Sequence, residues 1–179
     1  MDFRSNLEQL DRSYNSFTEK EIRDWDDNSW VGFYQFLEGH FEELNWFLVN
    51  NPAGGFWGAI TTWKKWGDFA VYIQLEQGKL CFKISFSPDD IWATKGEFNP
   101  DEVQDRLHIN ILEASKTDGL IEIRRPDYYR HQGLYRTVAV VDRKDWLGDD
   151  SSKIDLSRVV KTLHNYNNFL EGLTKSAVA

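Results

Sequence analysis

Phe3, Leu7, Leu10, Tyr14 and Phe17 recur at alternating steps of four and three, the spacing that gathers side chains on one face of a helix. Thr18 and Glu21 have the form of a capping box opening a further helical turn. Past the polar stretch DWDDNS, a second helical stripe follows: Trp30, Phe33, Tyr34, Leu37, Phe41 and Leu44. Residues 1–46 therefore read as an N-terminal helical segment whose aromatic faces need a surface to pack on.

The period then drops to two. FWGAITTW reads as one strand, and in FAVYIQLE the residues Phe69, Val71, Ile73 and Leu75 alternate with Ala70, Tyr72, Gln74 and Glu76. In KLCFKISF, Leu80, Phe82, Ile84 and Phe86 alternate with Cys81, Lys83 and Ser85. Such alternation marks half-buried antiparallel strands, and the tight Gln77–Gly78 connection makes the last two a hairpin. Asn99, Pro100, Asp101 and Glu102 supply an N-cap, a first-turn proline and acids at the positive end of a helix dipole. Val103, Leu107, Ile111 and Ala114 line that helix, and Gly119 stops it. LIEIRR and LYRTVAVV read as two more strands. Asp155 caps a final helix striped by Leu156, Val159, Leu163, Tyr166, Leu170 and Leu173. The expected fold is α+β: a mainly antiparallel five-stranded sheet covered by helices, preceded by the helical segment. Residues 47–179 would form the α+β domain, packed with 1–46 as one globular unit.

Composition narrows the function. With 179 residues, 41% of them hydrophobic and 15% aromatic, the chain has material for one substantial core. Most of the eight tryptophans are expected there or at its edge. The net charge of −8 opposes a dedicated duplex binder, which must neutralise phosphates with clustered Lys and Arg. A single cysteine, Cys81, excludes a disulfide framework and a thiolate zinc site, and the four histidines show no ligand spacing. The opening MDFRSNLEQLDRSY lacks an apolar signal region, and no apolar run approaches membrane-spanning length. The expectation is a cytoplasmic protein with no membrane partner.

Two stretches carry candidate chemistry. From Pro126 to Lys144 the chain spells Pro-Asp, fourteen residues, then Asp-x-Lys, the signature of PD-(D/E)XK nucleases. There two carboxylates hold a divalent cation that polarises a phosphate, and a lysine helps activate the attacking water. Asp127, Asp142 and Lys144 would fill those roles, with magnesium as cofactor. The context opposes it. Asp127 sits in a turn-like loop, Asp142 and Lys144 lie where the TVAVV strand ends, and nothing after the final helix supplies a further strand. Without that chemistry no cofactor is implied. The second stretch is basic and aromatic: Trp63, Lys64, Lys65 and Trp66, together with Arg124, Arg125, Tyr128, Tyr129, Arg130 and Arg136. Such residues stack on bases and track phosphates, and they are equally the usual anchors of protein interfaces.

NPAGGFWGAITTWKKWGDFAVYIQLEQGKLCFKISF, with the later GLYRTVAVVDRKDWL and IDLSRVVKTLHNYNNFLEGL, resembles the C-terminal part of a family of bacterial PD-(D/E)XK nuclease superfamily proteins. The similarity spans residues 30–173, with Ala53 where the family carries Ser. The resemblance implies an accessory region without the catalytic core, since the family's catalytic residues lie upstream of the matching part. It transfers no catalytic residue to this chain and implies a setting of restriction, phage defence, immunity or phage counter-defence. The expected function is that of a non-catalytic interaction or regulatory protein binding a protein partner, a nuclease or toxin, with nucleic acid as a second possibility. The alternatives are a metal-dependent nuclease using Asp127, Asp142 and Lys144, and an acidic inhibitor that mimics nucleic acid.

Overall fold

The computed structural model describes residues 16–50, 52, 54–91 and 97–176. The stripe from Phe3 to Tyr14 lies outside them. Phe17, its last member, is fully buried in a helical turn at 16–19. Thr18 sits inside this turn, so Thr18 and Glu21 do not open a helix together. The box forms further on. Asp26 caps helix α1 (Asp27–Glu38) by accepting from Ser29 N at 3.0 Å, while Ser29 Oγ accepts from Asp26 N at 3.3 Å. Lys20 pairs with the same carboxylate at 2.8 Å, and these bonds hold Asp26 far below its ordinary pKa.

Helix α1 ends at Gly39, and Glu43 takes a positive φ of 59°. The chain re-emerges as β1 (Asn45–Val49), a strand hidden in sequence because Leu44 extends the helical stripe. The division between residues 46 and 47 consequently falls inside β1. Strands β2 (Phe56–Ile60), β3 (Lys64–Trp66), β4 (Phe69–Leu75) and β5 (Lys79–Ser85) follow. Helix α2 (Pro100–Thr117), strand β6 (Tyr135–Asp142), the short helix α3 (Arg143–Trp146) and helix α4 (Leu156–Ser176) complete the order.

The sheet runs β1–β2–β4–β5–β6, wholly antiparallel, with β3 also paired to β4. It thus has five rows, one built from two segments. FWGAITTW does not form the single strand expected of it, because Thr61 interrupts. Its amide donates to Ile73 O at 3.0 Å while its buried hydroxyl accepts from Ile73 N at 3.2 Å. The side chain thereby replaces a carbonyl in the ladder, and the chain turns before KKW resumes pairing. LIEIRR forms no full strand either. Ile123 N closes a turn onto Leu120 O, leaving only the Arg124–Val140 bridge before Pro126, which has no amide hydrogen to donate.

The helix-covered face of the sheet carries Val71, Ile73 and Leu75, then Leu80, Phe82 and Ile84, then Ala139 and Val141. Against it pack Phe33, Tyr34 and Leu37 from α1, Leu107 and Ile111 from α2, and Val159, Leu163 and Tyr166 from α4. The opposite face is not the polar surface that alternation implies, since every residue of β4 is buried. Trp63 stacks flat on Tyr72, with ring centroids 4.6 Å apart and planes 6° from parallel. Gln74 donates to Glu76 at 2.9 Å, and Ser85 donates to Asp90 at 2.6 Å. Cys81, central on this face, is inaccessible, and burial pushes its thiol up to about 12.

An aromatic chain ties the N-terminal helices to the rest: Phe17 meets Trp25 and Phe33, and Phe33 meets Trp146 at 6.3 Å. Phe33 has no exposed surface. Phe33→Ala should therefore lower unfolding free energy by about 3–5 kcal/mol in urea titration, whereas Ile121→Ala, 81% exposed, should stay within about 0.5 kcal/mol of the parent.

Candidate functional site

The two aspartates of the nuclease spelling do meet in space, on one arginine. Arg124 is placed by its backbone, which exchanges both hydrogen bonds with Val140 at 2.9 Å beside β6. Its guanidinium donates from Nε and Nη2 to Asp142 at 3.1 and 2.7 Å. It also donates from Nη1 and Nη2 to Asp127 at 2.9 and 3.3 Å. Asp142 is the last residue of β6, and Asp127 lies in the loop that follows Pro126. Lys144 stands exposed on α3 and reaches Asp142 through its charge alone, with no hydrogen bond to the clamp among the contacts described.

The clamp determines the chemistry available. Each carboxylate accepts two charge-assisted hydrogen bonds from a planar fork, the geometry in which arginine binds carboxylates best. Arg124 accordingly holds Asp142 below the ordinary 3.8 of an aspartate, and both acids raise the guanidinium's own pKa. A carboxylate so held is a poor general base near neutral pH. The guanidinium occupies the space between the acids where a magnesium ion would sit, and it supplies charge without a Lewis-acid site. These residues do not fit a bound metal. Among the described residues, moreover, no group of three or more His, Cys, Asp or Glu is disposed to hold one.

Beyond the clamp, the loop is fastened to α2. Tyr129 OH donates to Asp105 at 2.9 Å, and His131 Nε2 meets the same oxygen at 2.9 Å. His131 and then Tyr129 hold the Asp105 carboxyl below its ordinary value. Gln104 Nε2 donates to the carbonyls of Arg130 and Thr137, His108 Nδ1 meets Val138 O at 2.6 Å, and Arg136 pairs with Asp101 at 2.8 Å. Sequence reading missed this scaffold. Its signal was Gln104 and His108, two polar residues one turn apart beside the apolar stripe of Val103, Leu107 and Ile111, and both are buried.

The basic and aromatic residues divide into anchors and display. Arg125 stacks over Tyr129 at 4.2 Å, and Arg130 lies over Tyr128 at 5.6 Å. Tyr129 is half-buried, while Tyr128 is 81% exposed. The Trp63–Trp66 stretch alternates between faces because β3 is a strand. Lys64 and Trp66 turn to the helix side, where burial lowers the Lys64 pKa and Arg106 covers the Trp66 ring at 5.4 Å. Trp63 faces the other way, half-exposed, with Tyr135 edge-on at 6.4 Å. Lys65 is exposed on that side. The structure thus puts Trp63, Tyr135, Leu134, Tyr128 and Arg130 at the surface, and takes Lys64 and Trp66 away from it.

The fold and the clamped loop together define an α+β domain whose motif acids are occupied by its own arginine. No family model, curated protein or solved structure matches the chain.

Arg124→Met should leave the chain folded and lower its stability by about 0.5–1.5 kcal/mol, a small cost because all three side chains are more than a third exposed. Amide exchange across residues 125–130 should accelerate. Asp105 and Asp142 have lowered pKa values, so their contribution is whole above the ordinary 3.8 and drains away as pH falls through the folded values. Urea titrations from pH 6 downward should show stability falling below about pH 4, and Asp142→Asn should flatten part of that slope.

Proposed function

We propose that this chain is a non-catalytic binding protein that engages a protein partner through the Arg125–Tyr135 loop and the adjoining Trp63 corner. The observation that carries this reading is the pairing of display with rigidity. Tyr128, Leu134 and Tyr135 are 81%, 51% and 50% exposed. Tyr128 and Leu134 nevertheless belong to a loop pinned by the Arg124 clamp, by Asp105 and Gln104 of α2, and by the His108 ring against Tyr129, and Tyr135 opens β6. Exposed aromatics beside arginines are the residue types that dominate binding energy at protein interfaces. A loop already held in shape loses little conformational freedom on association.

The partner class follows from the resemblance set out above: a nuclease, or a toxin of that kind, in a bacterial defence, immunity or counter-defence setting. The chain would recruit, regulate or inhibit it. Location in the cytoplasm belongs to the same proposal. Among the described residues no helix is long and apolar enough to cross a membrane. Hydrolysis by Asp127, Asp142 and Lys144 is disfavoured because Arg124 already binds both acids.

Co-purification with the products of neighbouring genes should yield a stable complex. Tyr128→Ala and Arg130→Ala should each weaken it by roughly tenfold or more with little change in melting temperature. Three outcomes overturn the reading: no complex with any neighbour, complexes indifferent to both substitutions, or magnesium- or manganese-dependent cleavage of DNA or RNA that Asp142→Ala abolishes. Tight, steeply salt-dependent binding of single-stranded oligonucleotides would transfer the same surface to nucleic acid.

A further inference from the structure

The two edges of the sheet are treated differently. In the middle of β6 outward backbone groups are occupied: Arg124 takes both the amide and carbonyl of Val140, and His108 meets the carbonyl of Val138. The β5–β6 ladder also carries a bulge, at Phe82/Lys83, which breaks the regularity an incoming strand would need. At the other side, β1 pairs only with β2 among the described residues, in five uninterrupted steps from Asn45↔Ile60 to Val49↔Phe56. Its sequence, NWFLV, contains no charge and no proline, and Leu48 is 48% exposed. Natural edges are normally blunted by lysine, proline or a bulge, and this one has none of those guards.

We infer that β1 is the site of self-association, pairing antiparallel with β1 of a second copy of this chain about a two-fold axis at Phe47. The composition of the strand favours its own image. In that register Trp46 lies opposite Leu48 of the second copy, so each exposed leucine gains an indole beside it. Trp46 is already held in place, its Nε1 donating to Glu38 at 2.6 Å. Phe47 meets Phe47 on the other face, and Asn45 faces Val49. The acids Glu42 and Glu43 fall beyond Val49 of the second strand, where the sequence offers no acid before Asp68. No like charges therefore oppose one another within the new ladder. Because the two-fold uses the β1 edge of both copies, pairing stops at two and gives a closed dimer with a continuous ten-row sheet. This association stands apart from the partner surface proposed above, which takes no residue from β1.

Sedimentation equilibrium of the purified chain should show a reversible monomer–dimer equilibrium in the micromolar range. It should tighten with added salt, since two bodies of charge −8 repel until screened. Leu48→Lys should weaken the dimer by about tenfold or more while thermal unfolding of the monomer is retained. Cysteine cross-linking reports the register. In the proposed pair the two Phe47 Cα atoms stand about 4.5–5.5 Å apart, within disulfide reach, whereas the two Leu48 positions are offset from one another by two residues and are not. Mild oxidation should thus link Phe47→Cys into a covalent dimer and leave Leu48→Cys unlinked, with buried Cys81 silent in both. A wild-type chain that stays monomeric at several hundred micromolar overturns the inference. So does a dimer indifferent to Leu48→Lys, or equal cross-linking through positions 47 and 48. A dimer whose formation depends on Tyr128 instead would place association on the loop surface and remove it from β1.

Discussion

Burial of the β4–β5 hairpin on both faces is the constraint from which the rest of the molecule is arranged. One face takes the three long helices, and the other is closed by the hairpin's own neighbours: the Trp63 ring on Tyr72, the Glu76 carboxylate on Gln74, and Asp90 on Ser85. Central strands so enclosed lose their ordinary tolerance for polar substitution, because each buried polar atom needs a specific partner. The arrangement also drives chemistry outward. The only thiol lies in the dry layer, where burial raises its pKa and disfavours the thiolate that nucleophiles and metal ligands need. What remains for interaction is the periphery: the loop beside β6, the corner at Trp63, and the edge of β1 left unpaired among the described residues.

The nuclease spelling shows how a motif and its scaffold come apart. Fourteen residues separate Asp127 from Asp142 along the chain, and the fold does bring their carboxylates to a common point. A guanidinium occupies that point and joins a loop to a strand end. A divalent ion and an arginine satisfy the same pair of carboxylates, but only the ion can bind and acidify water. The same spacing therefore serves attachment here, and the exposed lysine that completes the spelling is left on a separate helix.

Much of the architecture was legible because it follows from local pattern. The α2 cap at Asn99, the β4–β5 hairpin and the stripe of α4 each rest on residues close in sequence, and each forms where the pattern places it. The failures share a cause. Leu44 continues the period of a helix that Gly39 has already ended, so β1 was concealed. Thr61 looks like any β-branched strand residue, yet its hydroxyl takes the place of a carbonyl from a residue twelve positions away. LIEIRR has strand composition but is consumed by a turn and stopped by Pro126. Half-burial failed on β4 because the second covering layer comes from loops whose apolar and polar residues carry no period. At the candidate site the residue types were readable, while their orientation was not. Lys64 and Lys65 differ by one position and face opposite sides of the sheet, and Arg124, by composition one more basic residue beside aromatics, spends its five donors internally.

The connection between β5 and β6 has a kinetic meaning. Strands β1 to β5 follow one another through short links and can pair as soon as they are made, since closing small loops is fast. β6 must wait until residues 86–134, including all of α2, have been laid down and folded back. Its docking closes the longest excursion in the sheet and pairs partners far apart in sequence, the kind of contact that slows folding. Asp142, the anchor of the Arg124 clamp, is the final residue of that strand. The loop carrying Tyr128 consequently acquires its fixed form only once the last row of the sheet is in place, and a chain arrested before that step would present no finished surface to a partner.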